Sequence, residues 1–284
     1  MGLVSMKSIL EEASRGGYAV PAFDAVDHAS AEAIIAAAEQ TGRPVIIMVP
    51  EAGTVFIDVE NYFEFLVWRI NKSDAQIALE LDHGKNMSLI QAAIDAGFTG
   101  VMYDGSDLPI EENIANTKKV VEMAKAKGVS VEAEIGHVGG GEGNMEEGSE
   151  VDEMAFTKPL DAKYFAEATG VDALAVAIGT VHGLYKGTPQ LDFDRLKEIN
   201  ELVDVPLVLH GGSGVSKEEF VKAIENGINK INLFTEISMA AVSQAVDYAC
   251  AKEKRLHFGE MILVGKKTVQ TIAEQYIALF SLGR

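Results

Sequence analysis

Cysteine is almost absent from this chain: Cys250 is the single one among 284 residues. One thiol cannot form a disulfide within the chain, and it cannot supply the cysteine cluster of a structural zinc site. The sequence also lacks an apolar run of the roughly 18 residues that a membrane span requires. Its first segment, MGLVSMKSILEE, turns acidic where the apolar part of a signal peptide would begin. We therefore expect a cytoplasmic protein without disulfides and without a membrane partner.

Basic residues are also scarce. The chain has 24 Lys and Arg against 43 Asp and Glu, which gives a formal net charge of −19. This surplus disfavours nucleic acid and anionic membrane surfaces as partners. A phosphorylated small molecule remains compatible, because backbone N–H groups in a loop can bind phosphate inside an acidic protein. Since 48% of the residues are apolar, we expect a large folded core rather than disorder.

Short β-rich segments alternate with longer amphipathic helical patterns along the chain. The candidate strands are residues 18–23, 44–49, 77–81, 100–104, 129–135, 173–178, 206–210 and 230–233. Eight such alternations in a chain of this length predict an α/β fold of the (β/α)8 barrel type, with a doubly wound sheet as the competitor. We expect residues 1–284 to form one barrel domain, in which residues 237–284 are a helical extension.

Three histidines each lie just beyond a short apolar run. They are His83 in ALELDHG, His182 in AVAIGTVHG and His210 in VPLVLHGGSG. In a barrel of parallel strands, the residues just past the strand ends converge on one face. Three imidazoles leave one side of a metal open, which is the ligand arrangement of a catalytic zinc site rather than a structural one.

Carboxylates stand close to the same predicted strand ends. Asp82 directly precedes His83. It fits a proton shuttle, a carboxylate that supports a metal ligand, a helix N-cap or a turn acid, and its place beside a metal-type histidine favours one of the two functional roles. Glu132 and Glu134 share the inward face of one strand, where a carboxylate needs a partner or a metal. We expect one of the two to be functional and favour Glu134, because it is nearer the strand end; the other can pair with a barrel lysine or arginine.

A long glycine-rich and acidic segment, residues 139–157, interrupts the alternation. A loop of this length in a compact domain is usually a functional lid or a disordered segment. Glu142 lies within it. Loop carboxylates are usually only solvated, but a lid can bring an acid or base into a site as it closes.

Two loops rich in glycine and small polar residues follow the last two predicted strands, at residues 210–214 and 232–235. Phosphate sites of (β/α)8 barrels commonly form at these two loops. Glycine lets the backbone approach an anion, and small hydroxyls add donors. The candidates are Gly183, Gly211, Ser213 and Thr235. The alternative for HGGSG is an ordinary glycine turn.

No lysine has a position suited to Schiff-base chemistry. That mechanism requires a desolvated lysine inside the barrel. Near the strand ends the sequence offers only Lys85, just beyond the DHG turn. A metal-free, lysine-dependent aldolase on the same fold is therefore disfavoured.

Taken in order, these motifs resemble the class II, metal-dependent fructose/tagatose-bisphosphate aldolase family, from about Val4 to Ile237. The segments that carry the resemblance are LDHG, VMYDGS with PIEENI, VEAEIG with GGGE, DALAVAIGTVHGLYKG, LDFDRL, PLVLHGGSG and NLFTE. The resemblance implies a zinc-dependent aldolase that cleaves a ketose phosphate reversibly to dihydroxyacetone phosphate and an aldehyde. It also implies assembly into a homodimer or homotetramer.

The resemblance assigns roles residue by residue. The implied zinc ligands are His83, His182 and His210, with Glu134 as a nearby or conditional ligand. Asp82 is implied as the acid/base for the C4 hydroxyl. Glu142 is implied as the loop carboxylate that exchanges the proton at the carbon of dihydroxyacetone phosphate. The implied phosphate- and hydroxyl-binding residues are Gly183, Gly211, Ser213, Asn232 and Thr235. A monovalent cation, Na⁺ or K⁺, is expected to assist phosphate binding.

Several positions depart from the family pattern. An FN motif reads Phe23-Asp24, an NxDTD segment reads NLFTE with Phe234 at a polar position, and GSHLP reads GSDLP with Asp107. The Pro-Arg segment that serves the distal phosphate has no counterpart near the C-terminus, where the nearest stretch is residues 254–260. Ketose 1,6-bisphosphates and ketose 1-phosphates therefore both remain open as substrates.

Two other functions remain open at this point. A metal-dependent sugar-phosphate epimerase on the same barrel would use the same metal and two acids, and it would release no three-carbon fragment. A non-catalytic sugar-phosphate binder would have no need of Asp82 and Glu142 as proton carriers.

Overall fold

Parallel strands close into a barrel in the computed structural model, which describes residues 2–140, 151–187, 189–253 and 255–284. The strands are β1 (Gly2–Leu3), β2 (Val20–Asp24), β3 (Val45–Pro50), β4 (Gln76–Gly84), β5 (Gly100–Tyr103), β6 (Ser130–Ile135), β7 (Ala173–Val176), β8 (Leu207–Leu209) and β9 (Ile228–Leu233). Strands β2 to β9 pair in chain order, and β9 pairs with β2 to close the ring. The short β1 pairs with β4 outside it. The predicted (β/α)8 barrel is confirmed.

Helices separate the strands. They are α1 (Met6–Gly16), α2 (His28–Thr41), α3 (Val59–Ile70), α4 (Met87–Ala96), α5 (Ile110–Lys125), α6 (Pro159–Thr169), α7 (Phe193–Leu202), α8 (Lys217–Glu225), α9 (Thr235–Ala251) and α10 (Phe258–Phe280). Short 3₁₀ turns occupy Glu51–Phe56 and Glu153–Ala155. No helix within the described ranges combines the length and apolarity that crossing a bilayer demands.

Local sequence signals explain where these helices begin and end, and α8 illustrates this. Ser216 and Glu219 form a reciprocal capping box that satisfies backbone N–H groups of the first turn. Phe220 and Ile224, one turn apart, face the core and are buried. The chain then leaves the helix at Asn226 and turns into β9.

The barrel interior changes character along its axis, because alternate strand residues point inward. At the amino ends of the strands the inward residues are apolar, and Met6, Ile9 and Leu10 of α1 pack against them and close that end. Toward the carboxyl ends the inward residues are buried and polar. They are Glu80, Asp82, Glu132, Glu134, Lys230 and Asn232. The chemistry is therefore concentrated at the carboxyl end.

The C-terminal helices complete the outer layer. Helix α9 begins at Thr235, two residues before the predicted extension. Helix α10 packs against α2 and α9 and buries Ala273, Ile277 and Phe280 in the main core. A C-terminal helix is thus present, and it forms part of the barrel wall.

Candidate active site

The three histidines meet at the carboxyl end of the barrel. The ring centroid of His83 lies 4.8 Å from that of His182 and 4.6 Å from that of His210, and the other pair is 5.9 Å apart. One ring nitrogen of each lies within 4.8 Å of the other two. Three imidazoles at this spacing can share one metal ion.

His83 reaches this position through an unusual backbone. Its φ is +47°, in the left-handed region that non-glycine residues seldom adopt. The pairing of β4 with β5 also shifts register between Leu81 and Gly84. The His83 Nδ1 lies 3.0 Å from an oxygen of Asp104, the residue that follows β5. The hydrogen bond orients the ring through Nδ1, an arrangement typical of a histidine that binds a metal through its other nitrogen, Nε2.

His182 lies in the loop after β7. Its backbone N–H donates to the carbonyl of Gly139 at 2.7 Å, which ties this loop to the start of the glycine-rich segment. The Nε2 atom is buried and has no hydrogen-bond partner among the described residues. Burial, with repulsion from the other two histidines, lowers the pKa of His182 well below its usual 6.5. A neutral imidazole with a free nitrogen is the form that binds a metal.

His210 directly follows β8 and is fully buried. Its Nδ1 lies 2.9 Å from Glu134 and its Nε2 lies 2.9 Å from Glu132. Burial lowers the pKa of this imidazole, but the two hydrogen-bonded carboxylates outweigh burial and raise it to about 9. A metal at the three histidines would take one of these two contacts, and the other carboxylate would keep the ring oriented.

A buried lysine completes this carboxylate cluster. Lys230 Nζ lies 2.7 Å from Glu80 and 2.7 Å from Glu132, and all three side chains are fully buried. Burial raises the pKa of Glu80 to about 8, whereas Lys230 and His210 outweigh burial at Glu132 and lower its pKa to about 2. The sequence-based expectation that Glu132 or Glu134 has a basic partner is met by Lys230.

Lys230 also corrects the expectation that no desolvated lysine lies inside the barrel. Its own pKa is raised, because the attraction of Glu132 and Glu80 outweighs burial. A Schiff base requires a neutral amine, so the two carboxylates that keep Lys230 charged disfavour it as a nucleophile. Sequence reasoning missed it because Lys230 is the first residue of its predicted strand, not a residue at the carboxyl end.

Asp82 projects inward beside His83 and is 2% exposed. Its Oδ1 accepts a hydrogen bond of 3.2 Å from the amide of Asn232, and its Oδ2 lies 3.9 Å from His83 Nε2. Asn232 thus links the predicted acid/base to β9. The alternative role of Asp82 as a helix cap is wrong, because Asn86 caps α4.

A small polar pocket adjoins the histidines on one side. It is lined by all five predicted phosphate- and hydroxyl-binding residues, together with two carboxylates, Asp24 and Asp82, and two of the histidines. The five are Gly183, Gly211, Ser213, Asn232 and Thr235. Thr235 is the first residue of α9, so the positive end of that helix borders the pocket. Gly211 has a φ of +66°, and a Cβ there would lie 2.4 Å from the carbonyl oxygen of Val181. The loop therefore requires glycine.

Tyr185 holds the two loops of this pocket together. Its hydroxyl donates to the carbonyl of Gly211 at 2.7 Å and accepts from the N–H of Val181 at 3.1 Å. Sequence reasoning missed this residue, because a tyrosine in a loop carries no distinctive pattern. It also missed Asp104, although Asp104 follows a predicted strand just as the histidines do.

The other predicted acid, Glu142, lies outside the described residues.

Comparisons with known proteins agree with this geometry. The family model described as "Fructose-bisphosphate aldolase class-II" matches residues 4–283. A protein named fructose-bisphosphate aldolase from Geobacillus stearothermophilus is 43% identical over 262 residues, which are 90% of this chain and 89% of that protein. A protein of the same name from Staphylococcus aureus (strain Mu50 / ATCC 700699) is 42% identical over 251 residues, 87% and 86% of the two chains.

A solved structure is similar over almost the whole chain. The YdjI aldolase from Escherichia coli K12 superposes with a TM-score of 0.87 at 33% sequence identity, and the match covers 98% of this chain and 97% of that chain.

Fold and site together define a barrel enzyme with a metal-type histidine cluster. The chain belongs to the class-II fructose-bisphosphate aldolase family, and it is a class-II aldolase, a carbon–carbon lyase. Enzymes of this family generally depend on a metal ion. The predicted family is confirmed, and membership among aldolases decides against the epimerase and the non-catalytic binder.

Proposed function

We propose that this enzyme is a zinc-dependent aldolase that cleaves a ketose 1-phosphate or 1,6-bisphosphate reversibly to dihydroxyacetone phosphate and an aldehyde. The observation that carries the proposal is the convergence of His83, His182 and His210, whose ligand atoms lie within 4.8 Å of one another. The Nε2 of His182 is buried and has no hydrogen-bond partner among the described residues, which points to a ligand from outside them.

The donor set fits zinc. The proposed ligands are His83, His182 and His210, with Glu134 as an additional ligand. Three imidazoles and a carboxylate are nitrogen and oxygen donors that Zn²⁺ accepts, and a three-histidine set leaves room for substrate. When bound, Zn²⁺ supplies Lewis-acid chemistry that polarises the substrate ketone and stabilises developing negative charge.

Asp82 is the proposed acid/base at the substrate's C4 hydroxyl. As the C3–C4 bond breaks, this carboxylate accepts the hydroxyl proton, and C4 leaves as the carbonyl carbon of an aldehyde. Its burial and its hydrogen bond from Asn232 hold the carboxylate at a fixed place beside His83. A positioned base of this kind contributes about 10²- to 10⁴-fold to a rate.

Glu142 is the proposed partner at the other carbon. It would deliver the proton to the carbon of the three-carbon fragment and remove it in the reverse reaction. Its place in the glycine-rich segment that starts next to His182 supports this role, because the Gly139 carbonyl already contacts the His182 backbone.

The small polar pocket is the proposed phosphate site. Backbone N–H groups around Gly183 and Gly211, the hydroxyls of Ser213 and Thr235, and the amino end of α9 favour an anion there. Asn232 would contact a substrate hydroxyl. A monovalent cation, Na⁺ or K⁺, is proposed to assist phosphate binding.

We also propose that the enzyme is a homodimer or homotetramer that binds only a small sugar phosphate, not nucleic acid or a membrane. Support comes from helices α9 and α10, which present apolar side chains to solvent. The exposed residues are Met239, Val242, Val246, Phe258, Ile262 and Leu263.

Release of dihydroxyacetone phosphate from a panel of ketose phosphates tests the proposal. The enzyme is assayed as purified, after chelation, and after zinc is added back. We expect activity that chelation abolishes and zinc restores. Full activity after complete removal of divalent metals would contradict a metal-dependent mechanism, and no release from any ketose phosphate would contradict the reaction.

A further inference from the structure

A second cleft adjoins the histidines. Its volume is about 570 Å³, and His83 and His182 line both this cleft and the small pocket, so the two meet at these histidines. A ketose whose first phosphate lies in the small pocket would extend its remaining carbons into this larger cleft. The assignment of this cleft to that end of the substrate rests on the proposed aldolase function.

The wall of the cleft is acidic. Four carboxylates line it, against one lysine and three histidines, two of which, His83 and His182, belong to the proposed metal site. The carboxylates are Glu51, Asp104, Glu134 and Asp107. Asp104 and Glu134 contact the histidine cluster and can be counted with it. Two carboxylates, Glu51 and Asp107, then remain on the wall against one lysine, Lys85.

Lys85 is already engaged by an acid. Its Nζ lies 2.7 Å from Asp107 and 3.9 Å from Asp104. Asp107 also lies 3.3 Å from Nδ1 of His137. Asp107 is therefore the nearest partner of Lys85 and also contacts His137, so among the described residues the charge of Lys85 is already paired.

Glu51 is fixed in place beside Lys85. One of its oxygens accepts the backbone N–H groups of Lys85 and Asn86 at 2.8 and 2.9 Å. These bonds use backbone donors of this wall to hold a negative charge at the cleft. Like charge disfavours a phosphate dianion here, whereas sugar hydroxyls can donate to these carboxylates.

We propose that this cleft takes the unphosphorylated, polyhydroxylated end of a ketose 1-phosphate, and that Asp107 excludes a second phosphate by occupying Lys85. Asp107 is thus a specificity-determining residue.

The test compares substrates that differ only in the distal phosphate. Dihydroxyacetone phosphate release is measured from fructose 1-phosphate and fructose 1,6-bisphosphate, and from the matching tagatose pair, with zinc-loaded enzyme. We expect kcat/KM for the 1-phosphate to exceed that for the bisphosphate by about tenfold or more. Raising the ionic strength should narrow this preference, because the Lys85–Asp107 pair is half exposed and salt screens exposed charges.

Substitutions test whether the Lys85–Asp107 pair causes the preference for the 1-phosphate. Asp107→Asn frees Lys85, and we expect the ratio of kcat/KM for bisphosphate over 1-phosphate to rise about tenfold. Adding Lys85→Met should remove that gain. The matched control is Asp95→Asn, which breaks the exposed Lys127–Asp95 pair of 3.8 Å remote from the cleft and should leave the ratio unchanged.

The outcomes separate the two proposals. A wild-type preference for the bisphosphate, or an Asp107→Asn ratio equal to that of wild type, overturns this inference and leaves the aldolase function standing. An Asp107→Asn gain that survives Lys85→Met overturns the assigned role of Lys85. Absence of dihydroxyacetone phosphate from every substrate overturns the proposed function itself.

Discussion

At the scale of single residues, buried charged side chains hold a proposed metal-binding histidine in position. His210 is clamped between Glu132 and Glu134, and Glu132 is in turn held by Lys230. Carboxylates behind metal-binding histidines fix the ring and raise its basicity. The buried carboxylates and lysine therefore act on the proposed metal site through the histidine that they hold.

Glu132→Gln should weaken the proposed zinc site. The amide can still accept from His210, but it removes the negative charge that polarises the imidazole. Loss of such a partner typically lowers metal affinity about 10- to 100-fold. Zinc affinity measured by competition with a chromophoric chelator tests this, with Glu11→Gln as the control on the exposed face of α1. Equal affinities for both variants would show that Glu132 does not support the metal.

Lys230→Met should destabilise the fold. The substitution leaves Glu80 and Glu132 buried without their cation, and removing one partner of a buried ion pair costs about 3–5 kcal/mol. The free energy of unfolding from urea titration measures this. The control is Lys7→Met, which breaks a pair with Asp172 at 2.8 Å. This substitution leaves no fully buried charge without a partner, and it should change the free energy of unfolding by at most about 1 kcal/mol. A loss for Lys230→Met no larger than the control's would refute the account.

At the scale of elements, the site is assembled from loops that follow different strands. The loops after β7 and β8 carry His182 and His210, and the Tyr185 hydroxyl joins them through backbone groups of Val181 and Gly211. The positions of the two loops therefore depend on each other. The strands of the barrel anchor both loops, so the site is built from loops on a rigid scaffold.

Tyr185→Phe should loosen this loop pair. It removes one hydroxyl that satisfies two backbone groups, and a lost buried hydrogen bond costs about 1–3 kcal/mol. We expect a several-fold higher KM for the phosphorylated substrate with a smaller change in kcat, measured by steady-state dihydroxyacetone phosphate release. Tyr164→Phe, which removes a surface bond to Glu111, is the matched control. An unchanged KM in Tyr185→Phe would mean that the two loops are held by other contacts.

At the scale of the whole molecule, the outer face of α9 and α10 is unusually apolar. Val242, Val246 and Leu263 are 61%, 49% and 65% exposed. Val242 and Ile262 also line a cavity that α2, α9 and α10 border together. Exposed apolar patches of this kind mark interaction surfaces, and a second copy of the chain is the proposed occupant.

The combined variant Val246→Glu with Leu263→Glu should shift the enzyme to monomers. Charges on both helices would be buried without partners in a dimer or tetramer. Light scattering coupled to size exclusion gives the mass of wild type and variant, with Met154→Glu as a control at an exposed apolar residue elsewhere. A monomeric wild type at micromolar concentration would contradict the proposed oligomer.

Much of this architecture follows from sequence periodicity. The eight barrel strands were predictable because each is a short apolar run between helical patterns, and the histidines were predictable because they directly follow such runs. The convergence of His83, His182 and His210 is then a consequence of barrel geometry.

Partners across the barrel were not predictable. Lys230 on β9 meets Glu80 on β4 and Glu132 on β6, and none of these strands is adjacent to another in the ring. Which inward side chains meet depends on strand tilt and register, which the period-two pattern does not contain. The left-handed backbone of His83 likewise lies where the pairing of β4 with β5 shifts register, a feature that local residue preference does not indicate.

The most direct test of the central claim measures zinc content and dihydroxyacetone phosphate release on the same samples. Wild type is compared with His182→Ala, which removes the buried unpartnered nitrogen, and with His28→Ala, an exposed histidine at the start of α2. We expect bound zinc and activity in wild type and His28→Ala, and the loss of both in a folded His182→Ala. Full zinc content and full activity in His182→Ala would contradict the account.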